Sequence, residues 1–172
     1  RSILLLGEGD FSFTLSLCKI LATRCPQRFV VYSTSFDSKD ALDSKYKDAK
    51  AILRRIEQIS MDESQVTVQV LHNIDSTRAL VPQLSRELGS GVDINLSFDA
   101  VIFNFPHLGI EDAKMHSSMV AHSMHCIKQC FRDTNSAFYL SLAYQQAERW
   151  KVAQVGSRNQ LSQESCIPFH RN

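Results

Sequence analysis

The hydrophobic residues of this chain fall into short apolar runs separated by longer amphipathic stretches. The first run, residues 2–6, is apolar at every position except Ser2 and stops at Gly7, which is typical of a strand buried on both faces. The other predicted strands are rich in β-branched and aromatic residues and cover residues 29–35, 66–70, 98–103 and 137–143. The pattern therefore predicts five strands.

Apolar residues at helical spacing follow these runs. Phe13, Leu17 and Ile20 recur at this spacing, so we predict a helix that ends before Pro26. Ser76 is the predicted N-cap of a later helix. The remaining predicted helices cover residues 49–59, 80–88, 111–131 and 146–155, and a last short strand is predicted over residues 166–169.

Strands that alternate with helices indicate an α/β fold with a mostly parallel central sheet and helices on both faces, because parallel strands need crossover connections. The length of 172 residues favours a single domain over residues 1–172. The chain starts with Arg1 inside the first predicted strand, so we expect it to be truncated at one or both ends. Ligands of such folds bind at the carboxyl ends of the strands.

Composition and charge narrow the function classes. With 44% hydrophobic and 22% charged residues, the chain is neither collagen-like nor disordered. No apolar run approaches the roughly 18 residues of a membrane span, so we expect no membrane partner. The net charge of +1 gives no overall field for RNA, so an RNA surface must be local or supplied by a protein partner. The odd count of 5 cysteines favours reduced thiols and an intracellular location.

A glycine-containing loop, residues 7–11, lies between the first strand and the first helix. Gly7 and Gly9 allow backbone to approach a ligand, although a tight turn without a ligand is the alternative. Glu8 and Asp10 would repel a pyrophosphate, so an NAD site is disfavoured. A cationic ligand fits better, and S-adenosylmethionine (SAM) carries a sulfonium and an ammonium but no phosphate.

Two carboxylates follow the next strands. Asp37 closes the second strand, where a carboxylate commonly accepts hydrogen bonds from a ribose diol, and an Asx-turn or helix cap is the alternative. Asp75 closes the third strand, where it could accept the adenine amino group or cap the next helix.

The fourth strand is followed by Asn104, Phe105, Pro106 and His107. Asn104 can donate and accept, so it could hold the edge of a planar substrate on which Phe105 stacks, while Pro106 fixes the turn. His107 is the side chain here that exchanges a proton near neutral pH. The alternative is a strand-end turn with a surface histidine.

These blocks resemble the eukaryotic large-subunit rRNA uridine-N3 methyltransferase-like domain. The resemblance rests on residues 5–13 and 34–38, on Tyr46 and Asp75, and on residues 98–107, and it extends to about Trp150. It implies a Rossmann-like class I methyltransferase fold, SAM as cofactor, and methylation of N3 of a uridine in rRNA. It further implies rRNA or a pre-ribosomal particle as partner, in the nucleolus or nucleus, with the mitochondrion as alternative.

The resemblance also implies roles for individual residues. The methionine part of SAM is assigned to Gly7, Glu8, Gly9, Asp10 and Phe11, its ribose to Asp37, and its adenine side to Asp75. The target base is assigned to residues 104–107, with Asn104 also next to the cofactor and His107 as proton acceptor.

The chain departs from the family pattern at residues 116–120 and 142–150. These departures keep open a second hypothesis, a catalytically inactive methyltransferase-like subunit that acts as a structural or assembly factor in a ribonucleoprotein. One predicted helix carries His116, His122, His125, Cys126 and Cys130, of which His122, Cys126 and Cys130 share one face. We interpret them as core thiols and surface imidazoles rather than a metal site, because at least two more ligands would be needed. The single Trp150 is interpreted as a packing residue rather than a stacking platform.

Overall fold

The computed structural model describes residues 1–62, 65–89 and 96–168. The strands are β1 Ser2–Leu6, β2 Phe29–Thr34, β3 Val66–Leu71, β4 Ala100–Asn104 and β5 Ala137–Ser141. The helices are α1 Ser12–Arg24, α2 Lys39–Lys45, α3 Ala49–Asp62, α4 Leu80–Leu88, α5 Ala113–Lys128, α6 Gln146–Arg149 and α7 Val152–Arg158.

The five strands form one sheet in the order β3-β2-β1-β4-β5, and every strand pair is parallel. In register, Leu4 of β1 lies beside Tyr32 of β2 on one side and Val101 of β4 on the other. The chain order reverses between β1 and β4, which is the switch point where parallel α/β sheets open a crevice for ligands. The predicted α/β architecture is confirmed.

Strand β1 is buried on both faces because its side chains alternate between two cores. Leu4 and Leu6 pack with residues of β4, α4 and α5. Ile3 and Leu5 pack on the opposite face with residues of α1, β2 and β3. Each fully buried aliphatic side chain contributes about 1.5–3 kcal/mol, so this central strand fixes the sheet that carries the loops of the site.

Some predicted elements differ from the observed ones. In α1 the buried face contains Thr14 and Cys18, whereas Phe13 and Ile20 are exposed. The buried hydroxyl of Thr14 is satisfied by Glu8, a contact that apolar spacing does not reveal. Helix α2, which the pattern did not predict, begins at a side-chain cap from Ser38.

Two further differences concern the other helices and the tail. Ser76 is not the N-cap of α4; its hydroxyl hydrogen-bonds Ser123 of α5 at 2.9 Å, and the cap position is Ala79. The predicted helix over residues 146–155 is split into α6 and α7 by Lys151, whose φ is 54°. Residues 166–168 form no strand, and residue 169 lies outside the described residues.

All five cysteines are free thiols, as expected. Burial raises the pKa of Cys18 to about 12 and that of Cys130 to about 11, so both thiols stay protonated near neutral pH. Within the described residues, no helix is both long and apolar enough to span a membrane.

Candidate active site

The loops that follow β1 and β4 meet at the switch point of the sheet. Gly7 has a φ of 66°, and a Cβ atom built on it would lie 2.6 Å from Cε2 of Phe103. A side chain at this position would therefore be strained and would also collide with the end of β4. Glycine is required here because the loop lies directly against the end of β4.

The acidic residues of the glycine loop cap helix α1. Oε2 of Glu8 accepts hydrogen bonds from the backbone N–H and the hydroxyl of Thr14, at 3.1 and 2.8 Å. Oδ1 of Asp10 accepts one from the N–H of Ser12 at 2.9 Å. Phe11 stands at the N-cap in the left-handed region, with a φ of 63°. The N–H groups of Ser12 and Thr14 are thus already bonded to carboxylates and cannot serve a ligand phosphate.

Glu8 is a buried carboxyl, with a relative exposure of 8%. Burial raises its pKa, and the hydrogen bonds from Thr14 partly offset that rise. Thr14 also hydrogen-bonds the hydroxyl of Ser33 at 2.6 Å, which ties the loop to the end of β2. Oε1 accepts no hydrogen bond from the described part of the chain, so one side of a buried carboxylate remains available to a donor.

Tyr46 lies over the second glycine of the loop. A Cβ atom on Gly9 would be 3.0 Å from the Tyr46 hydroxyl oxygen and 3.2 Å from Cζ. Gly9 is therefore needed for the close approach of this ring, since its φ lies outside the left-handed region. Tyr46 is 37% exposed and forms one wall of the crevice next to the loop.

The two strand-end carboxylates make local contacts. Oδ1 of Asp37 accepts a hydrogen bond from the Lys45 ammonium at 2.5 Å. Oδ1 of Asp75 accepts from the N–H and the hydroxyl of Thr77, and Oδ2 lies 3.2 Å from Nε of Arg78. Asp75 thus closes a turn before α4 without being its N-cap. The ribose and adenine roles of these residues stay predictions.

A shallow, open cavity of about 420 Å³ lies at the ends of β2 and β3, with Asp75 but not Asp37 in its wall. The ring of Phe36, which is 68% exposed, forms part of its wall. The lining residues are Phe36, Asn73, Asp75, Arg78, Gln83 and Arg86.

On the other side of the switch point, Asn104 ends β4 beside the end of β5. Its Oδ1 accepts a hydrogen bond from the hydroxyl of Ser141 at 2.7 Å, which leaves the Nδ2 donors to face other groups. The backbone N–H of Phe105 donates to the carbonyl of Ser141 at 2.9 Å. Phe105 has a φ of 49° and is 51% exposed, whereas Pro106 is buried.

His107 continues this loop, and one of its ring nitrogens is hydrogen-bonded. Nδ1 accepts a hydrogen bond from the N–H of Gly109 at 2.8 Å, so the hydrogen of the neutral ring lies on Nε2. Nε2 is 3.6 Å from Oε1 of Glu111. The His107 ring packs against the ring of His116, with centroids 4.8 Å apart.

Nearly the whole chain, including these loops, matches the model of a known protein family. The family described as "BMT5-like: rRNA (uridine-N3-)-methyltransferase BTM5-like" matches residues 4–172, which is nearly the whole chain. The chain belongs to this BMT5-like family. The family resemblance and the methyltransferase fold expected from the sequence are thereby confirmed.

Two relatives from Arabidopsis thaliana match part of the chain. One, named heavy metal-associated isoprenylated plant protein 41, is 33% identical over 121 residues, which is 70% of this chain and 20% of the relative. An uncharacterized protein is 34% identical over 110 residues, which is 63% of this chain and 43% of the relative. The chain therefore spans less than half of either relative. No solved structure gives a significant match.

Within the described ranges, no group of three or more His, Cys, Asp or Glu residues is arranged to hold a metal ion.

The three histidines of α5 differ in burial. His122 and His125 are exposed, as expected, but His116 is buried, so its interpretation as a surface imidazole was wrong. Trp150 is a packing residue, as predicted, since it is 3% exposed in the cluster with α5 and α7.

For this member of the BMT5-like family, the structure brings most predicted site residues to one edge of the sheet. The glycine loop lies against the end of β4 through Gly7 and Phe103, directly before the 104–107 loop, while Asp37 and Asp75 lie further along the same edge, after β2 and β3. Sequence reasoning missed three contributors to this edge, Tyr46, Ser141 and His116. Tyr46 belongs to the blocks that carry the resemblance, whereas no local signal marks Ser141 or His116.

Proposed function

We propose that this chain binds SAM at the carboxyl ends of β1, β2 and β3 and methylates N3 of an rRNA uridine held at the ends of β4 and β5. The observation that carries the proposal is the contact between the glycine loop and the end of β4 at the switch point. In this arrangement a SAM-binding loop and a base-binding loop would lie on the two sides of one crevice.

The residues present fit SAM on physical grounds. Glu8 and Asp10 occupy the N–H groups of α1 that a pyrophosphate would need, which disfavours a dinucleotide. The same carboxylates attract the ammonium and sulfonium of SAM. Asp37 would take the ribose diol and Asp75 the adenine amino group, next to the cavity beyond β2 and β3.

When bound, SAM supplies an activated methyl group on a sulfonium. The chain's part is mainly positioning, which can account for several orders of magnitude in rate. Asn104, held by Ser141, offers its Nδ2 hydrogens to a carbonyl oxygen of the uridine. Phe105 presents an exposed ring on which the base can stack, and Pro106 anchors the turn in the protein.

The proton on N3 must leave before or during methyl transfer, and His107 is the proposed acceptor. Its Nδ1 can accept a proton only by releasing the N–H of Gly109. The imidazolium that forms carries its Nε2–H toward the Glu111 carboxylate, whose Oε1 lies 3.6 Å from Nε2. Glu111 would therefore stabilise the protonated ring until it passes the proton to solvent.

The wider setting is part of the same proposal. The substrate is rRNA, free or in a pre-ribosomal particle, and the location is the nucleolus or nucleus, where ribosome biogenesis takes place. Because the chain carries a net charge of only +1, a protein partner would add to its affinity for RNA.

The test is methyl transfer from labelled SAM to ribosomal RNA, with the modified nucleoside identified after digestion. We expect label on N3 of uridine for the unaltered protein and none above background for Asn104→Ala. Calorimetry with SAM and with NAD is the control for cofactor class. Binding of SAM without transfer to any uridine would overturn the catalytic proposal in favour of an inactive assembly subunit, and binding of NAD instead would overturn the cofactor assignment.

A further inference from the structure

A buried histidine on α5 makes hydrogen bonds to both ends of the loop between β4 and α5. His116 is 2% exposed. Its Nε2 accepts a hydrogen bond from the backbone N–H of Leu108 at 3.2 Å, and its Nδ1 lies 2.7 Å from the carbonyl oxygen of Asp112. Because Leu108 donates, Nε2 carries no hydrogen, and Nδ1 is the donor to Asp112. One neutral tautomer therefore links the two ends of the segment 108–112.

The same ring lies between two other rings. On one side it stacks on Trp150, with centroids 4.5 Å apart and an angle of 10° between the planes. On the other side it meets His107 at 4.8 Å and 53°. Trp150 is itself buried between α5 and α7. The position of His107 is thus connected through His116 to a rigid part of the protein.

We propose that His116 is the positioning residue of the target-base loop, acting as the hydrogen-bond acceptor that holds Leu108 and so keeps His107 at the crevice. This inference deepens the proposed methyl transfer and rests on it. Leu108 directly follows His107 in the chain, so releasing its N–H frees the backbone that carries the imidazole. The His107 side chain is 43% exposed, and its described contacts are with Gly109, Glu111 and the ring of His116 itself.

The competing explanation is that His116 only fills space beside Trp150. Two variants distinguish the effect of losing the hydrogen-bond acceptor from the effect of losing the aromatic ring. His116→Phe keeps a flat ring on Trp150 but offers no acceptor to Leu108. His116→Gln loses the aromatic stack but places a carbonyl oxygen where Nε2 stands and an amide donor toward Asp112. His122→Ala is the matched control, since His122 is an exposed imidazole on the same helix.

The first measurement is steady-state kinetics with an RNA that contains the target uridine, alongside calorimetry with SAM. We expect His116→Phe to lower kcat by about 100-fold, the loss typical of a reacting group displaced by about 1 Å, with the SAM Kd unchanged. His116→Gln should recover most of that loss, and His122→Ala should match the unaltered protein. The proposal would be overturned if His116→Phe kept the kcat of the unaltered protein, or if either folded variant lost SAM binding.

The second measurement needs neither SAM nor RNA. Amide hydrogen exchange at Leu108 should accelerate in His116→Phe and stay slow in His116→Gln, with circular dichroism confirming that both variants fold. If the unaltered protein transfers no methyl group, the proposed function fails while this exchange still decides whether His116 holds the loop. Equal protection of Leu108 in both variants would show that the hydrogen bond is not the restraint and would overturn the proposal.

Discussion

The two sides of the crevice are built in different ways. On the cofactor side, the glycine loop is held by short-range contacts, because Glu8 and Asp10 cap the helix that follows them within six residues. On the base side, the 104–107 loop is held by groups far along the chain, with Ser141 on Asn104 and Trp150 behind His116. The cofactor side is therefore specified locally, and the base side depends on the packing of α5, α6 and α7.

This difference separates the effects that substitutions should have. Changes on the cofactor side should alter SAM affinity or folding, because that loop is continuous with the buried start of α1. Changes on the base side should alter turnover while SAM binding survives, because no described contact of Asn104 or His107 involves the glycine loop residues 8–11. Each substitution below tests whether the two sides are independent in this way.

The largest expected effect is that of Asn104→Ala on turnover. The variant loses the Nδ2 donors that would hold the uridine, and a displacement of about 1 Å can cost on the order of 100-fold in rate. We expect kcat to fall by at least that factor, measured with labelled SAM and RNA, while calorimetry gives an unchanged SAM Kd. Collapse of SAM binding would place Asn104 in the cofactor pocket and end the proposed independence. Ser141→Ala, which removes only the anchor of Oδ1, should show a smaller loss of the same kind.

The sequence predicts the cofactor side of the crevice better than the base side. Strand β1 and the glycine loop were predictable because a buried apolar run that stops at glycine is a local signal. The residues 104–107 were recognisable as a block, but their supports were not, since Ser141 and His116 reach them only through the sheet register and the packing of α5. His116 has the helical spacing of the buried Met119 and Val120, but the spacing alone does not show that a histidine rather than a surface residue occupies that face.

Helix α1 shows the limit of apolar spacing in the same way. Phe13 and Ile20 have the spacing of a buried face, yet Thr14 and Cys18 take that place. The reason is the carboxyl of Glu8, which needs the Thr14 hydroxyl and N–H beneath the loop. A polar contact therefore sets the rotation of the helix, and hydrophobicity alone could not have predicted it.

Within the cofactor side, Gly7 and Gly9 should respond differently to substitution. Gly7→Ala forces a left-handed φ on alanine and a collision with Phe103, so we expect the free energy of unfolding to fall by about 2 kcal/mol. Gly9→Val should keep the fold and abolish measurable SAM binding, because its side chain pushes on Tyr46 and fills the crevice beside the loop. Urea denaturation and calorimetry measure the two effects. Unchanged SAM affinity in a folded Gly9→Val protein would show that the loop is only a turn and does not bind SAM.

Glu8→Gln tests the charge of the buried carboxyl. An amide can still accept from Thr14 but no longer attracts an ammonium, so we expect about a tenfold weaker SAM affinity, in line with the roughly 1.5–3 kcal/mol of hydrogen bonds to charged groups. A loss of turnover at saturating SAM, with affinity retained, would contradict this assignment.

The pH dependence of stability gives an independent check on Glu8. Burial raises its pKa above the usual value of 4.5, so the folded protein binds the proton more tightly than the unfolded chain. The contribution of Glu8 to stability is therefore fully present below pH 4.5 and is lost as the pH rises through the folded pKa. Relative to Glu8→Gln, the unaltered protein should lose stability across that window in urea denaturation. The opposite slope would mean that the hydrogen bonds from Thr14 outweigh burial and lower the pKa of Glu8 instead.

The smallest expected effect is that of Lys45→Met. The ion pair with Asp37 is exposed on the lysine side, and exposed pairs add little to stability because water and salt screen them. The stability change should therefore be small and shrink further in high salt. The effect on SAM is more informative, because Asp37 cannot fully serve both Lys45 and a ribose diol. If Asp37 binds the ribose, Lys45→Met should leave the SAM Kd unchanged or lower it slightly, whereas Asp37→Asn should raise it. A clear weakening of SAM binding in Lys45→Met would show instead that the lysine holds Asp37 in its binding position, and the cofactor side would then depend on α2 as the base side depends on α5.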